Sequence, residues 1–119
     1  MEIKELKIGT IFKCSWNGMA DYFELVDVLP KSVKLRKLEW ESCSAPEGFE
    51  EADPVHRWTR LRRDENGNYV YAQPCKYYTK RLTTINGYCN FKSPNYNGNA
   101  SVRPLKEGEK DGYMLMYWG

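Results

Sequence analysis

Residues 11–18, with the sequence IFKCSWNG, predict a β-strand that ends in a tight turn. The apolar run is too short for a helix and is rich in residues that favour strands, and Asn17-Gly18 is a turn signal. Residues 22–28, YFELVDV, predict a second strand, and residues 32–36, SVKLR, alternate apolar and charged side chains as a half-exposed third strand does. Three strands joined by short turns form a meander, which begins many small barrels and SH3-like folds.

The apolar pattern changes phase after the third predicted strand. Leu38 and Trp40 continue the alternation on the opposite parity, which predicts a β-bulge and a bend at residues 37–38. Residues 41–54 are rich in Ser, Gly, Pro and acids, and they predict a long loop in which Phe49 is the apolar anchor.

Two further hairpins are predicted in the second half of the chain. Residues 57–63 and 69–73 flank a segment dense in turn formers, although residues 55–61 would form a short helix if that hairpin is absent. Residues 80–85 and 88–92 flank Asn86-Gly87, a dipeptide that tolerates the positive φ angles of a type I′ turn. This second hairpin has the strongest local signal in the chain.

The last predicted elements are two short strands. Residues 100–103 predict an edge strand ended by Pro104, and residues 113–118, YMLMYW, are apolar on both parities and predict a strand buried on both faces. No helical periodicity extends beyond a turn or two. The sequence therefore predicts a mainly β fold, a small antiparallel β-barrel or sandwich with an SH3-like N-terminal meander and additional hairpins, formed as a single domain over residues 1–119.

Composition and charge restrict the class of protein. The aromatic content of 14% suits the half-buried faces of a β-rich core, and a net charge of +2 is too mild to indicate a nucleic-acid binder by itself. Residues 1–6, MEIKEL, mix charged with apolar side chains, a pattern that fits neither a signal peptide nor a membrane span. We therefore expect a cytoplasmic protein with no membrane partner.

The cysteine and histidine pattern carries no signature of catalysis or metal binding. The chain has four cysteines, Cys14, Cys43, Cys75 and Cys89. They lie far apart in the sequence, and no two of them form a Cys-x-x-Cys pair. We expect free thiols and no metal site, because His56 is the single histidine. Cys43, His56 and Asp53 can be assembled into a nucleophilic arrangement on paper, but their spacing is no known motif. With nucleotide, zinc-protease and calcium motifs also missing, we expect no cofactor and no enzymatic activity.

Basic and aromatic side chains alternate along several predicted strands. Proteins that hold single-stranded nucleic acid on a sheet combine cations for phosphates with aromatic planes for bases. The candidate residues for binding a protein or a nucleic acid are Arg36, Trp40, Trp58, Arg60, Arg62, Tyr69, Tyr71, Lys80 and Arg81.

An acidic segment precedes the basic run at residues 57–63. Its carboxylates would neutralise the neighbouring arginines, face water, or act as a mimic of nucleic acid toward a protein. The acidic candidates are Glu47, Glu50, Glu51 and Asp53.

The first third of the chain resembles a group of small, uncharacterised phage- and plasmid-borne proteins. That group begins with a Gly-led strand, an S-W-G-Y segment, an F-Y-x-V strand and a strand ending in Arg. The matching segments here are GTIF at 9–12, SW at 15–16, YFELV at 22–26 and SVKLR at 32–36. The resemblance implies a mobile-element origin.

Small proteins of mobile elements often act by occupying the surface of a host protein, including a defence nuclease. Our first hypothesis is therefore a non-enzymatic binding protein of a phage or mobile element, which inhibits a host defence nuclease complex through protein–protein contacts in the host cytoplasm. The alternative is a single-stranded nucleic-acid-binding β-domain that uses a basic and aromatic face. The expected partner is thus a host protein or a nucleic acid.

Overall fold

Ten β-strands and one 3-10 turn form the regular structure within residues 6–86, 88–96 and 100–117, the residues that the computed structural model describes. Every strand pairing among them is antiparallel, so the prediction of a mainly β, antiparallel chain is confirmed. The strands are β1 (Ile11–Trp16), β2 (Met19–Val28), β3 (Ser32–Lys37), β4 (Trp40–Ser42), β5 (His56–Leu61), β6 (Tyr77–Arg81), β7 (Thr83–Ile85), β8 (Tyr88–Asn90), β9 (Ser101–Pro104) and β10 (Met114–Tyr117), and the 3-10 turn covers Glu107–Glu109.

The largest sheet contains five strands in the order β6-β3-β2-β1-β9. Its centre is the predicted meander, in which β2 pairs with both β1 and β3. Asn17 and Gly18 join β1 to β2 with φ angles of 53° and 80°, which suit an Asn-Gly hairpin turn. Because this turn is tight, pairing continues up to Trp16 and Met19, and β2 begins three residues earlier than predicted. The predicted edge strand is confirmed as β9.

A three-stranded sheet in the order β10-β5-β4 and the two-stranded hairpin of β7 and β8 complete the described pairings. The Asn-Gly hairpin is confirmed, since β7 pairs with β8 and Asn86 has a φ of 53°. Gly87 lies outside the described residues. The hairpin is shorter than predicted, because Lys80 and Arg81 belong to β6, which pairs with β3.

Both faces of the five-stranded sheet carry buried side chains, because successive residues of its central strands point to opposite sides. One cluster packs on the side of the β7–β8 hairpin and consists of Phe12, Cys14, Phe23, Leu25, Val33, Leu35 and Phe91. The other packs against the three-stranded sheet and consists of Ile11, Ala20, Tyr22, Leu38, Leu61 and Met116. The five-stranded sheet is therefore the central layer of the fold.

The predicted bulge at residues 37–38 is wrong. The register shift lies in β2, between Leu25 and Asp27. At the end of β3 the chain instead passes to the other sheet, with Leu38 fully buried and Trp40 starting β4. The change of parity in the sequence marks this change of sheet. It also places β4 inside the segment that was predicted as loop from residue 41.

The predicted pairing of residues 57–63 with 69–73 is confirmed only next to its turn, where Arg63 and Tyr69 form an antiparallel bridge and the Val70 N–H donates to the Arg62 carbonyl. Strand β5 itself pairs with β4 and β10, and Tyr71 bridges Leu38 instead. The helical alternative for residues 55–61 is excluded because β5 covers most of them. Across the described ranges, no helix has the length and apolar character needed to cross a lipid bilayer.

Candidate functional site

The outer face of the three-stranded sheet is built by the alternation of β5. Thr59 and Leu61 point inward and are buried, so His56, Trp58 and Arg60 point away from the core. The pairing of β5 with its neighbours extends this outer row across the whole sheet.

Strand β10 adds exposed apolar side chains to the same outer face. Leu115 lies opposite Trp58, and Tyr117 lies opposite His56. Leu115 is 40% exposed and Tyr117 is 46% exposed, so the predicted burial of the last strand on both faces is wrong. The reason is that β10 is an edge strand with one face on the core and none of the described elements over the other. Trp118 lies outside the described residues.

Tyr113 and Phe49 complete this apolar patch. Tyr113, 41% exposed, precedes β10 on the same parity as Leu115 and Tyr117, and it raises the pKa of Arg60. Phe49, 64% exposed, packs edge-on against the Trp58 ring with a centroid distance of 5.4 Å. We name the patch the aromatic face, defined as Phe49, His56, Trp58, Tyr113, Leu115 and Tyr117.

The acidic loop, residues 47–53, is fastened onto the aromatic face by side-chain contacts. The Trp58 indole Nε1 donates a hydrogen bond to the Glu50 carbonyl oxygen at 2.8 Å. At the end of the loop, His56 Nδ1 lies 2.7 Å from Asp53 Oδ1. These contacts, together with the Phe49 packing, place the loop's carboxylates beside the exposed rings, and Glu47, Glu50, Glu51 and Asp53 are all exposed.

Hydrogen bonds lower the pKa of Asp53 below its ordinary value. The largest cause is the side-chain bond with His56, and the Val55 backbone N–H also donates to Asp53 Oδ1 at 3.0 Å. Both contacts favour the charged form of the carboxyl group. The acidic loop is therefore negatively charged at neutral pH.

A cleft of about 470 Å³ opens next to the aromatic face, between the acidic loop and the turn that precedes β10. Phe49, Trp58 and Tyr113 form its apolar wall, and the Tyr22 hydroxyl, which donates to the Gly112 carbonyl at 2.9 Å, closes its base. Lys13 also lines the cleft, and burial lowers the pKa of its amine, with nearby Arg103 lowering it further. The cleft could hold an apolar side chain of a bound molecule.

The predicted basic and aromatic residues do not form one surface. Arg60 lies 3.5 Å from Glu41, and Arg62 lies 3.4 Å from Glu39, so both guanidinium groups face carboxylates. These acids come from the β4 region rather than from the acidic loop. Trp58 and Arg60 thus share the outer face of the three-stranded sheet, with a neutralised charge.

Other predicted binding residues lie elsewhere. The Trp40 Nε1 donates to Asp21 Oδ1 at 3.1 Å, which ties that indole to the five-stranded sheet. The Arg36 guanidinium covers the Tyr71 ring at 3.6 Å, and a neighbouring arginine, Arg63, covers Tyr69 at 4.0 Å. Tyr69 and Tyr71 are therefore covered by arginines other than Arg60 and Arg62. Lys80 and Arg81 lie at the end of β6, an edge strand of the five-stranded sheet, and not on the sheet that carries Trp58.

Sequence reasoning identified Trp58 and the acidic loop but missed Tyr113, Leu115 and Tyr117 as surface residues. A run that is apolar on both parities looks like a strand covered on both faces. The signal that could have revealed the exposure is the turn at residues 111–112 followed by a short final strand, since such strands often occupy sheet edges.

The described residues offer little for nucleophilic or metal chemistry. Burial is the largest cause that raises the pKa of the Cys43 thiol, so this thiol is protonated at neutral pH. Across residues 6–86, 88–96 and 100–117, no three His, Cys, Asp or Glu side chains are grouped closely enough to hold a metal ion.

The chain was compared with protein-family models, with curated proteins and with solved structures, and none of the three comparisons found a match.

Proposed function

We propose that this protein is a non-enzymatic binding domain that recognises another protein through the aromatic face and the acidic loop. The observation that carries the proposal is the group of exposed apolar side chains, Phe49, Tyr113, Leu115 and Tyr117, around Trp58. Contiguous exposed apolar surface of this kind marks interaction sites on soluble domains.

The arrangement has the anatomy of a protein interface. Trp and Tyr side chains dominate interface hot spots, and charged groups lie at the rim. Here Trp58 is held in place by the Glu50 carbonyl and the Phe49 ring, so its position is fixed before binding. A preorganised anchor loses little conformational entropy on association.

The charge at the rim indicates the class of partner. The exposed carboxylates of the acidic loop lie beside the aromatic face, and Arg60, on the outer face of the same sheet, already faces Glu41. A partner with basic side chains around an apolar recess would complement this surface. We propose a host protein of that kind, in line with the mobile-element origin that the N-terminal resemblance implies, and specifically the nucleic-acid-binding surface of a defence nuclease.

The finer architecture is part of the same proposal. We place the β1–β3 meander in a small SH3-like barrel or sandwich, because both of its faces are covered and its strands are joined by short turns. Such domains commonly present one sheet face or loop cluster to a partner.

Affinity capture with matched variants tests the proposal. The immobilised protein is exposed to a lysate of a bacterial host, and retained proteins are quantified by mass spectrometry. A Phe49→Ser/Leu115→Ser variant removes two exposed apolar groups from the aromatic face, whereas Ile8→Ser/Val28→Ser removes two exposed apolar groups elsewhere. We expect a basic partner to be retained by the wild type and by the control, and lost by the first variant. Equal retention by both variants, or no retained protein at all, would contradict the proposal.

Single-stranded nucleic-acid binding remains the second candidate. On the predicted face, Arg36 and Arg63 cover the rings that would stack with bases, and Arg60 and Arg62 face carboxylates. Support for nucleic-acid binding comes from Tyr77, which is exposed beside Lys34 with 4.5 Å between the amine and the ring centre. The test is the affinity for single-stranded nucleic acid of the wild type and of Arg60→Glu/Arg62→Glu. If the predicted face binds phosphates, the affinity should fall in the variant.

A further inference from the structure

A second cleft lies on the opposite side of the central sheet from the aromatic face. Its volume is about 400 Å³, and it lies where β6 ends and the β7–β8 hairpin returns to the core. Basic and hydrogen-bonding side chains surround an apolar floor, and the residues that matter are Lys80, Arg81, Thr83, Asn90, Phe91 and Lys92.

The three cations of this cleft have no acidic partner in the part of the chain that the structure describes. Among the described residues, no carboxylate lies within ion-pair distance of Lys80, Arg81 or Lys92. The cleft lining contains no Asp or Glu either. This differs from the three-stranded sheet, where Arg60 and Arg62 each face a glutamate. Three basic residues thus line one recess, and no carboxylate of the described residues is paired with any of them.

The fold anchors the backbone that carries these side chains. Lys80 lies opposite the buried Val33 in the pairing of β3 with β6, so its stem is half-buried on the hairpin side of the sheet. Phe91 is 3% exposed and packs edge-on against Phe12 at 5.1 Å, which anchors the segment that carries Lys92. The cleft is therefore supported by the core rather than by a free loop.

The geometry points to a phosphate-binding site in this cleft. Lys and Arg side chains are the groups that bind phosphate oxygens. The Asn90 side chain adds the N–H donors of its amide, while its Oδ1 accepts from the Phe91 N–H, whereas the Thr83 hydroxyl already donates to the Asn90 carbonyl at 3.4 Å. An anion in the cleft would be attracted to these basic groups, which are paired with no carboxylate of the described residues. The volume admits a phosphate together with its sugar. The ligand is a phosphate group of a nucleic-acid backbone or of a free nucleotide.

This inference goes beyond the proposed function, because it concerns a different surface and the opposite charge. The aromatic face and acidic loop would bind a basic protein, and the cleft would bind an anion. Since the two surfaces lie on opposite sides of the central sheet, a variant of one leaves the other intact.

Fluorescence anisotropy tests the site. The probe is a labelled oligothymidylate of about twelve nucleotides at ~50 mM salt, with inorganic phosphate and ATP as competitors. Lys80→Gln/Lys92→Gln removes two cations from the cleft, and Lys106→Gln/Lys110→Gln removes the same charge from exposed positions outside it. We expect the cleft variant to bind at least about fivefold more weakly and to reduce the salt slope by about 1.4, with less than about a twofold change in the control.

The competitors distinguish the two sources of the phosphate. An affinity that grows with oligonucleotide length supports a nucleic-acid backbone, and displacement by ATP at an affinity equal to that of the oligonucleotide supports a free nucleotide. Equal binding by the two double variants, or no binding of any probe by the wild type, would overturn the inference. If thermal melts show that Lys80→Gln prevents folding, the variant Arg81→Gln/Lys92→Gln is used instead, because both of its positions are exposed. We expect the same loss of oligonucleotide affinity from this variant.

Discussion

The indole Nε1 of Trp58 and the carbonyl oxygen of Glu50 are joined by a hydrogen bond of 2.8 Å. Through this bond the aromatic side chain at the centre of the outer face also positions the acidic loop. The anchor and the charged rim of the proposed interface are therefore one structural unit.

Trp58→Phe should loosen the acidic loop while it keeps an apolar ring on the face. The loss of one hydrogen bond at a partly exposed site should cost ~1 kcal/mol in the free energy of unfolding. The clearer effect should be faster amide hydrogen exchange within residues 47–53, measured by mass spectrometry. Tyr77→Phe, on the five-stranded sheet, is the control and should leave that exchange unchanged. Unaltered exchange in Trp58→Phe would show that the bond does not hold the loop.

Gly112→Ala should destabilise the protein by more than about 2 kcal/mol. Gly112 has a φ of +63°, and an added Cβ would lie 2.9 Å from Leu61 Cγ in the core. Gly108→Ala is the matched control, because a Cβ there meets nothing within 4 Å. Urea unfolding curves of the two variants should therefore differ clearly in midpoint. Similar midpoints would mean that the turn before β10 can shift at little cost.

Glu109 should contribute to the loss of stability in acid. Two hydrogen bonds from Arg103, at 2.7 and 2.8 Å, are the main cause that lowers the pKa of Glu109 from 4.5 to about 2. A lowered pKa means that the carboxylate stabilises the folded state above pH 4.5 and that this contribution is lost as the pH falls toward 2. Because both side chains are more than a third exposed, solvent screens the pair and the contribution should be at most ~1 kcal/mol.

Unfolding free energies measured between neutral pH and pH 2 check this contribution of Glu109. Glu109→Gln should show a shallower decline than the wild type across the acid range. Glu107→Gln, a change in the same 3-10 turn, should decline as the wild type does. If the unfolding free energy of Glu109→Gln declines as that of the wild type does, the Arg103–Glu109 pair does not contribute to the loss of stability in acid.

The cysteines should react with iodoacetamide in an order set by burial. Cys75 is exposed, whereas Cys14 is fully buried, and burial followed by the nearby Asp21 charge raises the pKa of the Cys14 thiol to about 12. Cys75 should be alkylated first and Cys14 only after unfolding. Peptide mass spectrometry against time gives the order, and Cys75→Ser should abolish the fast phase. Early labelling of Cys14 would contradict the burial.

Local parts of this fold could be predicted from sequence, and distant pairings could not. The turns at Asn17-Gly18 and Asn86 were predicted because a dipeptide determines their backbone angles. The pairing of β5 with β10 joins strands that are far apart in the chain, and side-chain alternation fits several partners equally well. Residues 69–73 are nearer to β5 in sequence, but within residues 57–63 they bridge only Arg63, which follows that strand.

The same limit applies to the candidate site. Its charged part is one continuous segment, the acidic loop, and composition alone revealed it. Its apolar part is formed by the pairing of β10 with β5 at the edge of the sheet, which places Leu115 beside Trp58. Periodicity shows that a strand has two faces but not which neighbour covers each of them.

Site-specific photo-crosslinking of the captured complex tests the central claim most directly. A photoreactive amino acid is placed at Leu115 in the aromatic face or, in a second protein, at Thr79, an exposed position of β6 on the five-stranded sheet. We expect crosslinks to a basic partner protein from position 115 and none from position 79. Crosslinks from position 79 alone would show that the partner binds elsewhere and that the aromatic face is not the interface.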